Sequence, residues 1–209
     1  MTDVWELVAA ERRALVEDLA GLADEQWEVA SLCAGWTVHD LAAHLVDNAR
    51  TSKGGFLAAM VRSRFDFERL NAAGVARWRG ATPAETLERL RVVVDRRTTP
   101  PAPVDSRLVE EVVHGEDVRR PLGLRRDYPT EAVERALAHQ LRTSVAMGGG
   151  RQHLAGMSLR ATDADVRLGE GPEVAGPLVS LLLVSSGRAA GLADLAGDGV
   201  PRLEAALKR

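Results

Sequence analysis

Glu110 and His114 stand four residues apart. On a helix that spacing puts a carboxylate and an imidazole on one face, one turn apart, where both can reach a single ion. His44, on a separate stretch with helical spacing, offers a third donor from a facing helix. Imidazole nitrogens and carboxylate oxygens at about 2.0–2.2 Å suit zinc, and three protein ligands leave a position open for water or substrate, as catalytic zinc sites do. Nickel and iron accept the same nitrogen and oxygen donors. A bland reading stands beside this one: His44 as a satisfied core histidine and Glu110–His114 as a surface pair. The H-E-x-x-H arrangement of metalloproteases does not occur.

The elements that must position these residues are legible as helices. Val4, Leu7, Val8, Leu15, Leu19 and Leu22 recur along one side of a first amphipathic helix. Thr37 and Asp40, three apart, resemble a helix start, and the helix then runs from about Val38 through Arg50 with Leu41, Ala42, Leu45 and Val46 around His44. After Gly54-Gly55, the stretch Phe56 to Arg79 is helix-compatible with an interruption near Arg64, and Pro83 opens another helix marked by Leu87, Leu90 and Val94. Thr98 to Ser106, with three prolines, is a stiff connection, and the helix from Arg107 to about Arg119 carries Glu110 and His114. Thr130 to Met147 is expected to be helical and to stop at Gly148-Gly149-Gly150. Beyond a soft boundary near residue 150 the pattern predicts a hairpin within 157–168, an apolar helix over Pro177–Ser186, a strand at Leu195–Asp198 and a last helix at 202–208. The fold class is therefore mainly α with a small α/β C-terminal part.

Composition removes several function classes. The 209 residues carry 27 basic and 30 acidic side chains, a net charge of −3, which gives no nucleic-acid footprint. The longest uncharged run, Val174 to Gly187, has 14 residues and is broken by Gly176 and Pro177, against about 20 apolar residues needed to span a bilayer. Acidic residues at positions 3, 6, 11 and 17 are unlike a signal peptide, so the expected compartment is the cytoplasm. A single cysteine, Cys33, forbids an intramolecular disulfide framework and leaves His, Asp and Glu to build any metal site. Cys33 is expected to be a small buried residue rather than a nucleophile. His39 projects about 140° around its helix from His44 and is set aside as a co-ligand.

Two segments carry a resemblance. Leu32-Cys33-Ala34-Gly35-Trp36-Thr37-Val38-His39-Asp40-Leu41-Ala42-Ala43-His44-Leu45 resembles the opening metal-ligand helix of the mycothiol-dependent maleylpyruvate isomerase family, a branch of the DinB-like metalloenzyme superfamily. Glu110-Glu111-Val112-Val113-His114-Gly115-Glu116-Asp117-Val118-Arg119-Arg120-Pro121 is similar to the family's Glu-x-x-x-His segment, and Ala175 to Leu203 looks like its small sterol-carrier-like portion. The resemblance implies a DinB-like four-helix bundle over residues 1–150 and a sterol-carrier-like α/β domain over 151–209. It assigns His44, Glu110 and His114 as metal ligands, with Glu111 a local competitor that matches the family spacing less well.

Asp40, one turn before His44, either accepts that histidine's distal N–H or only caps its helix; Asp117, three residues past His114, admits the same two kinds of role. Arg50, Arg119 and Arg120 are candidates to clamp substrate carboxylates, with surface ion pairs as the plainer reading. The family chemistry implies a divalent ion, zinc first and nickel or iron as alternatives, with mycothiol as cosubstrate. Its sulfur adds to the activated double bond of maleylpyruvate, the new single bond rotates, and elimination gives the trans product; related members transfer the thiol instead. The partners so implied are a small thiol and a small electrophile, with no nucleic acid or membrane, and a homodimer is compatible with them. The contrasting expectation is a non-catalytic metal-binding or hydrophobic-ligand-carrying protein.

Overall fold

The protein is described by a computed structural model covering residues 2–208. The chain divides into two compact units, one spanning Thr2–Arg126 and the other running from Asp127 onward. The expected boundary lay near residue 150.

In the first unit, α1 (Val4–Ala20) starts at Asp3, whose carboxylate accepts the Trp5 N–H. A single turn, α2 (Asp24–Trp27), is too short to leave a periodic signature and buries Trp27. The helix α3 (Val38–Arg50) opens on a capping box, the Thr37 hydroxyl accepting from the Asp40 N–H and the Asp40 carboxylate from the Thr37 N–H. Next come α4 (Lys53–Arg62), α5 (Phe67–Trp78), α6 (Pro83–Val93) and α7 (Ser106–Arg119). The helix α4 begins three residues before the expected Phe56 because Ser52 caps it, accepting from the Gly55 N–H. The interruption expected near Arg64 is present: Arg64 and Phe65 hold φ of 55° and 61°, the left-handed region in which no L-residue continues a helix.

Four of these helices form a ring, α1 packing on α6 and α7, and α3 packing on the same two from the other side. Their common core holds Leu15 and Leu19 of α1, Leu41, Leu45 and Val46 of α3, Leu87, Leu90 and Val93 of α6, and Val118 of α7. This is the four-helix bundle expected of the N-terminal part. The helix α5 lies against α3, where Gly74 allows close approach: a Cβ there would fall 2.5 Å from the Asp47 carboxylate. The proline-rich link from α6 to α7 crosses the end of α3, where the Thr98 hydroxyl donates to the Ala49 carbonyl.

The second unit contains α8 (Thr130–Arg142), a 3-10 turn at Val145–Met147, strands β1 (Ser158–Ala161), β2 (Arg167–Leu168) and β3 (Glu173–Gly176), α9 (Leu178–Ser185), a 3-10 turn at Ala189–Asp194 and α10 (Val200–Leu207). The helix expected to reach Met147 stops at Arg142, where Thr143 turns to extended backbone, φ −88° and ψ 133°, with its hydroxyl donating to the His139 carbonyl. The expected hairpin is β1–β2, antiparallel with Leu159 opposite Leu168. The third strand is β3, parallel to β1, rather than Leu195–Asp198, of which only the Ala175–Ala196 bridge remains. The helix α9 packs on α8, β1 and β3 and is buried on all sides, which explains an apolar run without amphipathic spacing. Among the described residues no helix is long and apolar enough to cross a membrane.

Candidate metal centre

Packing α3 against α7 brings the three predicted donors together in the first unit. Glu110 Oε2 lies 3.3 Å from His114 Nε2 and 3.7 Å from His44 Nε2, and the two imidazole rings meet edge to face at 5.1 Å. All three donor atoms fall within 4.8 Å of one another. Arms of about 2.1 Å around a tetrahedral ion give an edge of about 3.4 Å between donors, so these separations fit a shared divalent cation. Each residue is mostly withdrawn from solvent, with side-chain exposures of 11%, 28% and 14% for His44, Glu110 and His114.

A second group, Cys33, His114 and Asp117, could also hold an ion. Its distances are those of hydrogen bonds: the Cys33 thiol donates to Asp117 Oδ2 at 3.1 Å, and His114 Nδ1 sits 3.0 Å from the same oxygen. Sulfur and oxygen sharing a tetrahedral zinc would stand about 3.6 Å apart. In this geometry Asp117, fully buried, takes the Nδ1 proton of His114 and leaves Nε2 aimed at Glu110 and His44. Cys33 Sγ lies 3.7 Å from His114 Nδ1, and its loop is pinned by the Leu32 N–H donating to the Asp117 carbonyl.

Asp40 caps its helix and forms an ion pair with Arg79 at 3.0 Å. His44 Nδ1 is buried with no hydrogen-bond partner, and the Trp36 ring packs 5.0 Å from the His44 ring. Glu111 turns away from the donors to pair with Arg12 of α1 at 2.8 Å. His39 bonds Thr86 through Nε2 at 2.7 Å and plays no part in the cluster. Two residues escape the sequence reading. Asn48, one turn past His44, donates to Glu110 Oε2 at 2.5 Å, and Arg107, one turn before Glu110, donates to Asn48 Oδ1. Same-face spacing on α3 and α7 was the available signal, but only the contact between the helices shows that these side chains meet over Glu110.

Burial pushes the Glu110 carboxyl up, yet the hydrogen bonds from His114 and His44 and the charges of His114 and Arg107 outweigh it and hold Glu110 well below the usual carboxylate range. Burial pushes His114 down, and its bonds with Asp117, Cys33 and Glu110 together carry it well above the ordinary histidine value of 6.5. Without an ion His114 therefore holds its second proton to higher pH than an ordinary histidine does. Its contribution to stability is full at low pH and is lost as pH rises through the raised value. Holding a cation requires Nε2 to shed that proton, so metal affinity should climb with pH by about tenfold per unit, up to the raised His114 value. Metal-buffer titrations between pH 6 and 8 measure this; an affinity already flat above pH 6.5 would show that His114 sheds no such proton. Asp117→Asn should weaken metal binding by about 10–100-fold while the fold persists, read by competition with a chromophoric chelator and by circular dichroism.

The family model of the mycothiol maleylpyruvate isomerase N-terminal domain matches residues 8–133. The chain belongs to this family. The matched region holds all three candidate donors together with Cys33 and Asp117. Two solved structures are similar to this family member. One is a histidine-to-alanine mutant of the mycothiol-dependent maleylpyruvate isomerase, with 16% identity and a TM-score of 0.64. The other is the mycothiol-dependent maleylpyruvate isomerase itself, with 15% identity and a TM-score of 0.60. Each comparison covers 93% of this chain and 91% of the other, and at such identities the likeness carries the fold alone. No curated protein matches the sequence.

Of the arginines proposed as substrate clamps, this maleylpyruvate isomerase family member buries Arg119 against Asp18 at 2.6 Å and pairs Arg120 with Glu116 at 2.8 Å. Arg119 thus ties α7 to α1, while Arg120 pairs within the last turn of α7 itself. Arg50 stacks over Trp78, 4.4 Å from the ring centre, in a cleft beside the cluster.

Proposed function

We propose that this chain is a cytoplasmic metal-dependent enzyme that uses a low-molecular-weight thiol, mycothiol, for isomerisation or thiol transfer on a small electrophile. In this reading His44, Glu110 and His114 hold the ion, with zinc the leading identity. The observation that carries it is the convergence of the three donors at separations suited to one cation, with Asp117 fixing the His114 tautomer. A divalent ion held there would favour thiolate over thiol at neutral pH, supplying a nucleophile without a protein cysteine.

The chain's own residues do the positioning. Arg107 orients Asn48, and Asn48 holds the Glu110 carboxylate. Asp117 keeps a proton on His114 Nδ1, and Trp36 packs against the His44 ring. A cavity of about 60 Å³ lined by His44, Asn48, Thr51, Pro100 and Arg107 opens onto the His44 side of the donor set. In isomerisation, the C–S bond formed by thiol addition is the bond broken after rotation, so the thiol returns unchanged. The chain then needs no redox partner.

A second reading, carriage of a hydrophobic ligand, is favoured by a cavity of about 470 Å³ in the C-terminal unit, lined by Leu141, Leu154, Met157, Leu159 and Leu168 among others. Turnover separates the two. Metal-replete protein with mycothiol and maleylpyruvate should convert the cis to the trans isomer, followed by NMR, and with a bimane electrophile should form the thioether. Loss of both activities when thiol is omitted or Glu110 is replaced supports the enzyme. Absence of both in the loaded wild-type protein overturns it.

A further inference from the structure

The two oxygens of Glu110 have different neighbours. Oε2 lies 3.3 Å from His114 Nε2 and 3.7 Å from His44 Nε2, and it also accepts a side-chain N–H from Asn48 at 2.5 Å. Oε1 faces the Arg107 guanidinium, 3.9 Å away. Bringing Oε1 onto the same ion as Oε2 would turn the carboxylate out of its bond with Asn48 and away from Arg107. The two residues that hold it belong to the two helices that carry the donors. Asn48 stands one turn past His44 on α3, and Arg107 stands three residues before Glu110 on α7.

Arg107 is 4% exposed and donates to Asn48 Oδ1. A guanidinium has donors alone and an ionised carboxylate acceptors alone, so a side chain joining them must offer an oxygen to the first and an N–H to the second. That requirement fixes which way the Asn48 amide points. An aspartate in its place would have no N–H to give and would repel Glu110; an alkyl side chain could bond neither. Nitrogen and oxygen donors accept several divalent ions, and the number and geometry of the ligands then decide among them. Zinc settles with four ligands, so three protein atoms and one open position complete it. Calcium takes about six to eight oxygens, often with a carboxylate bound through both of its own, and manganese also favours an oxygen-rich octahedral shell.

We infer that Asn48, oriented by Arg107, is a positioning residue that governs which ion the centre takes: by confining Glu110 to a single-oxygen contact it favours zinc over ions that seek a larger oxygen shell, such as manganese. The inference rests on His44, Glu110 and His114 being the ligands, and goes beyond that reading by assigning the choice of ion to residues that are not ligands themselves.

The test compares zinc and manganese on the full chain, each by competition with a chromophoric chelator, in wild type, Asn48→Leu and Asn48→Ala, with circular dichroism to check the fold. A nitrogen and oxygen site binds zinc more tightly than manganese in any case, so the quantity read is the change in the ratio of the two affinities. Both variants should narrow that ratio by about tenfold or more, the scale on which groups that orient a ligand act. A merely structural role for Asn48 would weaken both ions alike and leave the ratio where it was. Cobalt gives an independent readout, because its visible absorption is intense when the ion is tetrahedral and weak when it has five or six ligands. The band of cobalt-loaded wild type should be strong and should fade in the variants as Glu110 Oε1 joins the ion. Arg107→Met keeps Glu110 and Asn48 but removes what orients the amide, and should move both readouts the same way. An unchanged affinity ratio or an unchanged cobalt band in the folded variants overturns the inference and leaves the metal centre standing; wild-type protein that takes up neither zinc nor cobalt removes both.

Discussion

Glu110→Ala is expected to lower divalent-metal affinity by more than about 100-fold, exceeding the range typical of losing a group that only orients a ligand. Glu110 is the anionic member of the donor set, and its Oε2 stands between the two imidazole nitrogens, 3.3 Å from one and 3.7 Å from the other. Asn48 and Arg107 are both committed to holding this carboxylate, so truncation also leaves their polar groups without their purpose. Glu110→Gln keeps the shape and removes the charge. It should lose most of the same affinity, because an amide oxygen is a poorer ligand for a hard divalent ion than a carboxylate. A chelator-competition titration of both variants, with circular dichroism to confirm their fold, gives the comparison. Wild-type affinity in Glu110→Ala would remove the residue from the ligand set.

Arg12→Ala is expected to cost about 3–5 kcal/mol of stability, the range for breaking one side of a buried ion pair. Arg12 is 1% exposed and Glu111 4% exposed, and they meet at 2.8 Å between α1 and α7. The same guanidinium donates to the carbonyls of Val93 and Arg96, closing the C-terminal end of α6, so three bundle helices share one side chain. Burial already raises the Glu111 carboxyl above its ordinary value, with Arg12 opposing the rise. Without Arg12 the folded-state value rises further, so the variant is penalised most at high pH and regains stability as pH falls and Glu111 takes a proton. Urea midpoints at pH 8 and pH 5.5 should show the deficit shrinking. Arg12→Met/Glu111→Leu, which removes both charges, should recover most of the loss.

Much of the site was legible because the relevant spacings are local. Glu110 and His114 share a face of α7, His44 sits amid the buried side of α3, and Asp117 follows His114 by less than one turn. The carboxylate roles divided for a reason sequence does not contain. Asp117 meets His114 Nδ1, whereas Asp40 is drawn to Thr37 and Arg79, a residue 39 positions away. Arg119 and Arg120 looked close to the site along the chain, but five and six residues past His114 they point toward Asp18 and Glu116. Cys33 was read as a small core residue. The structure seats it against both His114 and Asp117, a contact made by a loop and invisible to periodicity.

The fold followed the same division. Helices with caps and amphipathic spacing were placed to within a turn, including the break at Arg64. The strand Glu173–Gly176 was missed because its partner is Ser158–Ala161 in parallel register, and its four residues close on Gly176 with Pro177 directly after. The final turns of the helix expected to reach Met147 were lost where Thr143 turns to extended backbone with its hydroxyl bonded to the carbonyl one turn back. Such competition between side chain and backbone is decided by local geometry that composition does not reveal.

The most direct test of the centre is the metal content of wild-type protein purified under metal-replete conditions and dialysed free of excess ion. His44, Glu110 and His114 acting as ligands should retain about one equivalent of a divalent metal per chain, zinc first, and His44→Ala or Glu110→Ala prepared alongside should not. Wild-type protein holding less than about a tenth of an equivalent of any divalent ion would contradict the metal centre.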